Sequence, residues 1–346
     1  MQKNNFKFRY AVVMLFAATS VFAACSKKTY YDTPRPQLPV EEEQQPGRSL
    51  VSMPEGWSKQ TDLTSGFPDA LALYRNNGTF NGIQLNAYCL VLDPKNSAIE
   101  FKPVLPDKNK KPSALYAEEP GTVYACVNAG YFGTNVSYSL VIQNSTVLAT
   151  NVSNIVRAYN GNNVNYYITR GAFGLTSAGV PEVTWVYNIG SGTGVTYSYT
   201  EPAANKEGEE PKPVPTTSYP AGAKVWNVKS AVGGSPVLLK NSEVRLTDVE
   251  EMISVDNTIQ RARTAIGFNA DGKVFILVAE GNNPNGAKGL TLLQLANLMK
   301  SIGCKEALNL DGGGSTSMVV NGQLTVRPSD AAGERPVMSA IIIKRK

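Results

Sequence analysis

Residues 261–281 read RARTAIGFNADGKVFILVAEG, two runs rich in apolar and β-branched side chains on either side of NADG. Such runs around an Asp-Gly turn signal predict a hairpin. With its centre between Ala270 and Asp271, Arg263 stands nearly opposite Val278 and Arg261 nearly opposite Glu280. Side chains alternate between faces along a strand, so this register gives Arg261, Arg263 and Glu280 one shared face at the end away from the turn.

The next stretch, GLTLLQLANLMKSIG (289–303), places Leu292, Leu295, Leu298, Met299 and Ile302 at helical spacing. Thr291 and Gln294 form a T-x-x-Q capping box, and Gly303 offers the stop. The short apolar run EALNL (306–310) follows, so strand 273–279, helix 292–302 and strand 306–310 predict a βαβ crossover. Both strands of such a unit end on one sheet edge, which brings Glu280 and Asp311 together there with Arg263.

LNLDGGGSTSM (308–318) continues from that edge. Asp311 ends a strand, and Gly312, Gly313 and Gly314 can take positive φ and let the backbone approach a ligand. Successive N–H groups in such a turn form a nest for an anion, and Ser315, Thr316 and Ser317 add hydroxyls. A tight connection before the hairpin SMVV-NG-QLTV is the alternative reading; the spacing of a P-loop and its Lys are missing. VNAGYF (127–132) repeats the pattern, a strand followed by Asn128 and Gly130, and AVGGSPVL (231–238) is a third Gly-rich turn, with Gly234 and Ser235. Glu334 and Arg335 precede a terminal apolar run, where an arginine fits a phosphate or a surface carboxylate. EGNNPNGAKG (280–289) lacks the acidic spacing of a calcium loop, and neither a metal nor a cofactor is expected.

At 346 residues and 42% hydrophobic side chains, the chain has enough apolar material for one large core or two smaller ones. It has no histidine. That removes Ser/His/Asp and Cys/His nucleophilic mechanisms and the usual zinc ligand sets, and points to carboxylates for acid–base work. Lys3, Lys7 and Arg9 precede the apolar run AVVMLFAATSVFAA, which ends at Cys25. This is the pattern of a secretory signal over residues 1–24, too short and wrongly flanked for a retained span. FAAC resembles a bacterial lipobox, which implies cleavage before Cys25, lipidation of that cysteine and a lipid-anchored place in the cell envelope, at the outer membrane. Loss of residues 1–24 turns the formal +5 into about +2, so charge gives no reason to expect nucleic acid. Cys89, Cys126 and Cys304 lie in apolar runs, the usual setting of a buried thiol. Residues 25–55 are Pro-rich and charged, suited to a tether, and 191–222 read as a long surface loop inside the domain that fills 56–346, with a hinge between two domains as the alternative.

RTAIGF, GLTLLQLANLM, LNLDGGGSTSM and ERPV, in this order and with VNAGYF and VGGSPVL before them, resemble the phosphodiester glycosidase family over residues 120–345. The resemblance implies hydrolysis of a sugar-1-phosphodiester at the anomeric carbon, releasing the sugar and leaving a phosphomonoester. The family tends to have Asp-Gly-Arg where Glu280, Gly281 and Asn282 stand. The roles that follow are Asp311 as nucleophile or general base with Glu280 as its partner, Arg263 and Arg335 on the phosphate, and Asn128 on the sugar. Gly313, Gly314, Ser315, Thr316, Glu334, Gly234 and Ser235 complete the expected substrate contacts. A surface lipoprotein that binds glycans or phosphoglycans without cleaving them is the competing expectation. The fold expected is α+β: mixed, largely antiparallel sheets with few helices and a C-terminal βαβ-like segment, the Gly-rich turns gathered at one cavity.

Overall fold

The computed structural model describes residues 49–283 and 285–346. The expected signal, Cys25 and most of the expected tether lie outside them. Residues Ser49–Lys346 form one compact unit.

Sheets dominate, and neighbouring strands pair antiparallel throughout the three large sheets. The sheet that positions the site has eight strands, with Val274–Ala279, Arg263–Phe268 and Glu306–Asn309 side by side near its middle. Arg263–Phe268 pairs antiparallel with both flanking strands, so Val274–Ala279 and Glu306–Asn309 run parallel to each other with one strand between them. Helix α2 (Leu292–Ser301) connects them, which makes the expected crossover with an extra strand inserted. A five-stranded sheet holds Met318–Val320, Val123–Asn128 and Ala340–Arg345 side by side, and a seven-stranded sheet carries Arg170–Leu175 and Pro181–Ile189. All three sheets contribute to one apolar core: Val278 and Leu308 from the first, Val127 and Ile341 from the second, Phe173 and Trp185 from the third. The three described cysteines are buried and unpaired.

The hairpin register differs from the expected one by a single residue. Arg263 pairs with Ala279 and Phe268 with Val274, leaving a five-residue turn, 269–273. The Asn269 side-chain oxygen accepts the N–H groups of Asp271 and Lys273, and Gly272 takes φ +77°. That wrap adds the extra residue, and a one-residue slip exchanges faces. Arg263 therefore points with Ala265 and Ala279 toward the α2 side, and Glu280 continues the opposite face, that of Ile276 and Val278.

A second difference concerns 191–222. Val195–Tyr199 is a strand of the seven-stranded sheet, with Thr196, Ser198 and Tyr199 buried, so the excursion is shorter than its composition suggested. The alternation in VTYSY carries that strand.

α2 follows the sequence closely. Thr291 accepts from the Gln294 N–H while the Gln294 side chain accepts from the Thr291 N–H. Leu292, Leu295, Ala296, Leu298 and Met299 are buried against the eight-stranded sheet, and Gly303 turns the chain at φ +94°. Thr291→Ala removes one side of a box on a ten-residue helix. It should cost about 1 kcal/mol in urea unfolding, with Thr291→Ser restoring most of it; no loss in the alanine variant would show that packing alone fixes this terminus.

Candidate active site

Two acid-glycine pairs close on one residue. Ala262 precedes the Arg263–Phe268 strand and lies between Glu280-Gly281 on one side and Asp311-Gly312 on the other. A Cβ at Gly281 would come within 2.1 Å of the Ala262 nitrogen, and one at Gly312 within 2.8 Å of its oxygen. Glycine after each acid is thus a requirement of close approach. The two acids leave strands two spacings apart, which puts their backbones roughly 10 Å from each other.

The glycines after Asp311 do not form the expected open nest. Only Gly313 has positive φ, +58°. The Gly312 N–H donates to Asp311 Oδ1 at 2.9 Å and the Gly313 N–H to the Ala262 carbonyl at 2.7 Å, while those of Ser315 and Thr316 close a short 3₁₀ turn. Gly314 is a glycine for another reason: a Cβ there would lie 2.2 Å from Arg335 Nη2 and 2.3 Å from Asp330 Oδ1. The motif brings a guanidinium close to the acid and uses most of its own N–H groups internally.

Asp311 is held by its backbone. Its N–H donates to the Ala129 carbonyl at 3.0 Å, and its carbonyl accepts from Asn128 Nδ2 at 2.7 Å. The same amide's oxygen accepts from Thr264 Oγ1 and the Ser317 N–H. Asn128 is fully buried, so it braces Asp311 and does not face a sugar, as had been expected. Burial pushes the Asp311 carboxyl up to about 6, against the pull of the nearby Ser315 hydroxyl, the Gly312 N–H and the Arg335 charge. Ser315 Oγ lies near that carboxylate outside hydrogen-bond geometry and is buried without a partner. Thr316 is buried beside Thr264.

The remaining expected residues divide into two groups. Arg335 is exposed and forks onto Asp330, at 2.8 and 2.9 Å, next to Asp311. Glu280 is buried at the same edge; Asn86 and Asn283 donate to its two oxygens at 2.7 and 2.8 Å, and Arg327 Nε lies 3.9 Å away. Arg263, Glu334, Gly234 and Ser235 serve the framework. Arg263 gives four hydrogen bonds to the carbonyls of Leu290, Val255, Asp256 and Ile259, because the face exchange turns it toward that loop and away from a phosphate. The Glu334 carboxylate accepts from the Ser113 N–H and hydroxyl near the start of α1 (Pro112–Glu118) and from Ser317 Oγ at 2.6 Å. A Cβ on Gly234 would fall 2.3 Å from the Asn309 carbonyl. Ser235 is fully buried and donates to Glu251. These contacts account for four expected substrate ligands as packing and bracing groups.

Sequence reasoning gives Tyr131 only as an aromatic residue near the motifs and misses Asn309 and Glu251. Tyr131 donates to the Ser235 carbonyl at 2.5 Å and accepts from Asn309 Nδ2 at 2.7 Å. Burial and the Asp311 charge push its phenol up. Glu251 is fully buried and accepts from the N–H groups of Gly171 and Val237, the Trp185 indole and the Ser235 and Thr247 hydroxyls. A cleft of about 590 Å³ opens beside Glu280, lined by Asn77, Gln84, Asn86, Asn285 and others, and a cavity of about 180 Å³ lies at Tyr131. Asp311 lines neither. The acid five residues before Arg335 was a readable signal for Asp330, whereas nothing local in LNAYC marks Asn86.

Relatives and folds agree on this part of the chain. A sequence model described as phosphodiester glycosidase matches residues 121–344. N-acetylglucosamine-1-phosphodiester α-N-acetylglucosaminidase of Mus musculus is 30% identical over 108 residues, 31% of this chain and 20% of that enzyme. The human enzyme is 31% identical over the same length. The stretch thus spans about a fifth of those relatives. The catalytic domain of the zebrafish enzyme, auto-inhibited by its pro-peptide, superposes with TM-score 0.52 at 17% identity, over 84% of this chain and 89% of that one. A hypothetical protein from Synechocystis gives TM-score 0.54 at 16% identity, over 81% and 63%. The structural likenesses are of fold. The sequence match covers more than half of the residues and includes every element that positions Asp311, and on that ground the chain belongs to the phosphodiester glycosidase family.

Proposed function

We propose that this protein hydrolyses a sugar-1-phosphodiester at the anomeric carbon, with Asp311 as the central carboxylate. One observation carries the reading. Within the family-matched region, a strand-end carboxyl braced through its backbone is pushed up to about 6, close to neutrality, beside a forked arginine. An acid–base group works best when its pKa lies near the operating pH.

Cleavage at the anomeric carbon passes through an oxocarbenium-like state that a carboxylate stabilises, as nucleophile or by activating water. The bond that breaks joins that carbon to a phosphate oxygen. The departing phosphomonoester has a second pKa of about 6 and leaves as a stabilised anion, so positive charge does more for it than a proton donor. Arg335 supplies that charge. The Asn-lined cleft beside Glu280 suits sugar hydroxyls, since carboxamides both donate and accept. Glu280, held by two amides, orders that cleft and adds negative charge near the developing cation. In the same reading, the expected lipid on Cys25 holds the domain at the cell envelope, within reach of envelope glycans.

Release of sugar from an α-GlcNAc-1-phosphate diester tests the chemistry. The wild type should turn over and Asp311→Asn should lose on the order of a hundredfold or more; equal turnover by the variant would remove Asp311 from the reaction. Since Asp311 acts ionised, kcat/KM should rise about tenfold per pH unit up to about pH 6 and then level; a profile flat from pH 4 to 8 would contradict this role.

Stability carries the same signature. Above pH 6 the folded chain holds a carboxylate whose surroundings disfavour its charge, while below about pH 4 folded and unfolded chains both hold the proton. The raised pKa therefore costs stability that is lost as pH rises through about 6. Asp311→Asn should be more stable than the wild type at pH 8 by on the order of 2 kcal/mol, and the gap should shrink toward pH 4; denaturant unfolding at both pH values would show it, and a gap independent of pH would refute it. For the anchor, Cys25→Ser should move the protein from the membrane fraction to the soluble one, and unchanged fractionation would rule lipidation out.

A further inference from the structure

The strands that end beside Asp311 continue as a row. In sheet order Leu71–Asn76, Ala87–Leu92, Val274–Ala279, Arg263–Phe268 and Glu306–Asn309 stand side by side. Their register aligns Asn76 with Ala87, Ala87 with Ala279, Ala279 with Arg263, and Ala265 with Asn309. One edge of the sheet therefore carries, just beyond successive strands, Asp311, Ala262, Glu280, Asn86 and Asn77. At about 4.8 Å per strand spacing, this row runs roughly 19 Å from the acid.

The cleft of about 590 Å³ occupies the far part of that row. Glu280, Asn86 and Asn77 line it, joined by Gln84, Asn283 and Asn285 from the adjoining turns. Its volume falls within the roughly 300–1,000 Å³ of a whole-ligand pocket, which is more than one hexose needs. The polar side chains that line it are carboxamides and one carboxylate, with no lysine or arginine. Arg75 donates to Asn86 Oδ1 at 3.1 Å and Arg327 approaches Glu280 at 3.9 Å, yet neither lines the cleft. Asn86 and Asn283 are committed to Glu280. Asn77 and Gln84 are exposed. Gln84 gives one N–H to the Leu85 carbonyl and keeps its oxygen for a ligand. The Arg335 guanidinium, by contrast, lies against Gly314 at the Asp311 end.

We propose that the cleft binds a neutral glycan chain, so that the substrate is an oligosaccharide carried on the phosphodiester and not a single sugar. The row sets the length: a hexose held at Asp311 leaves the cleft to further residues of the same chain. Charge sets the direction. A phosphate or a uronate in the cleft would face Glu280 with no lining cation to offset the repulsion, whereas the Asp311 end has Arg335. The phosphate thus lies at the acid, and the glycan runs away from it across the strand ends. Hydroxyls donate and accept, as carboxamides do, so the wall matches them. The direction of the chain rests on the function proposed above; the binding of a neutral glycan does not.

Calorimetric titration of the full chain with maltotriose, triacetylchitotriose and mannotriose, each beside its monosaccharide, reads the cleft without turnover. At least one trisaccharide should bind tenfold or more tighter than its monosaccharide, and trigalacturonate should bind more weakly than that trisaccharide. The double variant Asn77→Ala/Gln84→Ala removes two exposed side chains; it should weaken that binding about tenfold or more while unfolding at the wild-type temperature. If the trisaccharide binds in this way and no form of the protein releases sugar from a GlcNAc-1-phosphate diester, the cleft stands and the reaction fails. Release of sugar with no preference for any trisaccharide is the reverse result. No trisaccharide preferred over its monosaccharide, unchanged affinity in the double variant, or tighter binding of trigalacturonate would overturn the proposal.

Discussion

One buried amide ties the site to the fold. Asn128 ends a strand of the five-stranded sheet, and its side chain takes the Thr264 hydroxyl and the Ser317 N–H while giving an N–H to the Asp311 carbonyl. Three segments from two sheets meet on four heavy atoms. A carboxylate at a strand end is free to swing; here the backbone that carries it is pinned from both sides, by Asn128 at its carbonyl and by the Ala129 carbonyl at its N–H. The side chain keeps its chemistry because the bracing falls on the peptide groups.

The acids around the site separate by how well they are satisfied. Glu251 is fully buried with five donors, and Glu334 is buried with donors from Ser113 and Ser317. Both are in the state expected of a buried anion that serves architecture. Asp311 is more exposed than either and yet less well supplied, with one N–H of its own loop on its carboxylate and the Ser315 hydroxyl nearby, whose pull does not offset the burial. Poor solvation raises its pKa, and good solvation by the protein would have removed that property. The contrast within one edge of the molecule separates the group suited to chemistry from those that hold it.

Much of this was legible in the sequence, for reasons that differ by residue. α2 could be read because its periodicity, cap and stop are all local, and the crossover followed from it. The meeting of Glu280 and Asp311 at one sheet edge followed from strand direction, which tolerates an error of register. The faces did not tolerate it. Asn269 wraps its own turn, adds one residue and sends Arg263 to the α2 side, and no pattern in NADG distinguishes that turn from a tighter one. The geometry read into DGGGS was wrong, since the glycines answer to Ala262, Arg335 and Asp330 and only one of them has positive φ. Asn128, Ser235 and Glu334 stood out as polar residues in apolar or Gly-rich settings, but a sequence cannot tell a group that faces a ligand from one that faces another loop. Tyr131, Asn309 and Glu251 act through contacts made across the fold, and such contacts leave no trace in local spacing.

The clasp on Asp311 joins positions 183 apart in the chain, and the Ala340–Arg345 strand is interior to its sheet, flanked by Ile99–Val104 and Val123–Asn128. Long-range pairings of this kind form late, after loop closure has been achieved. The brace on the acid thus depends on pairing between strands far apart in the chain, since Asn128 pairs with Ala340 at the start of that interior strand. A chain in which that long-range pairing has not formed carries Asn128 and Asp311 without the contact that joins them.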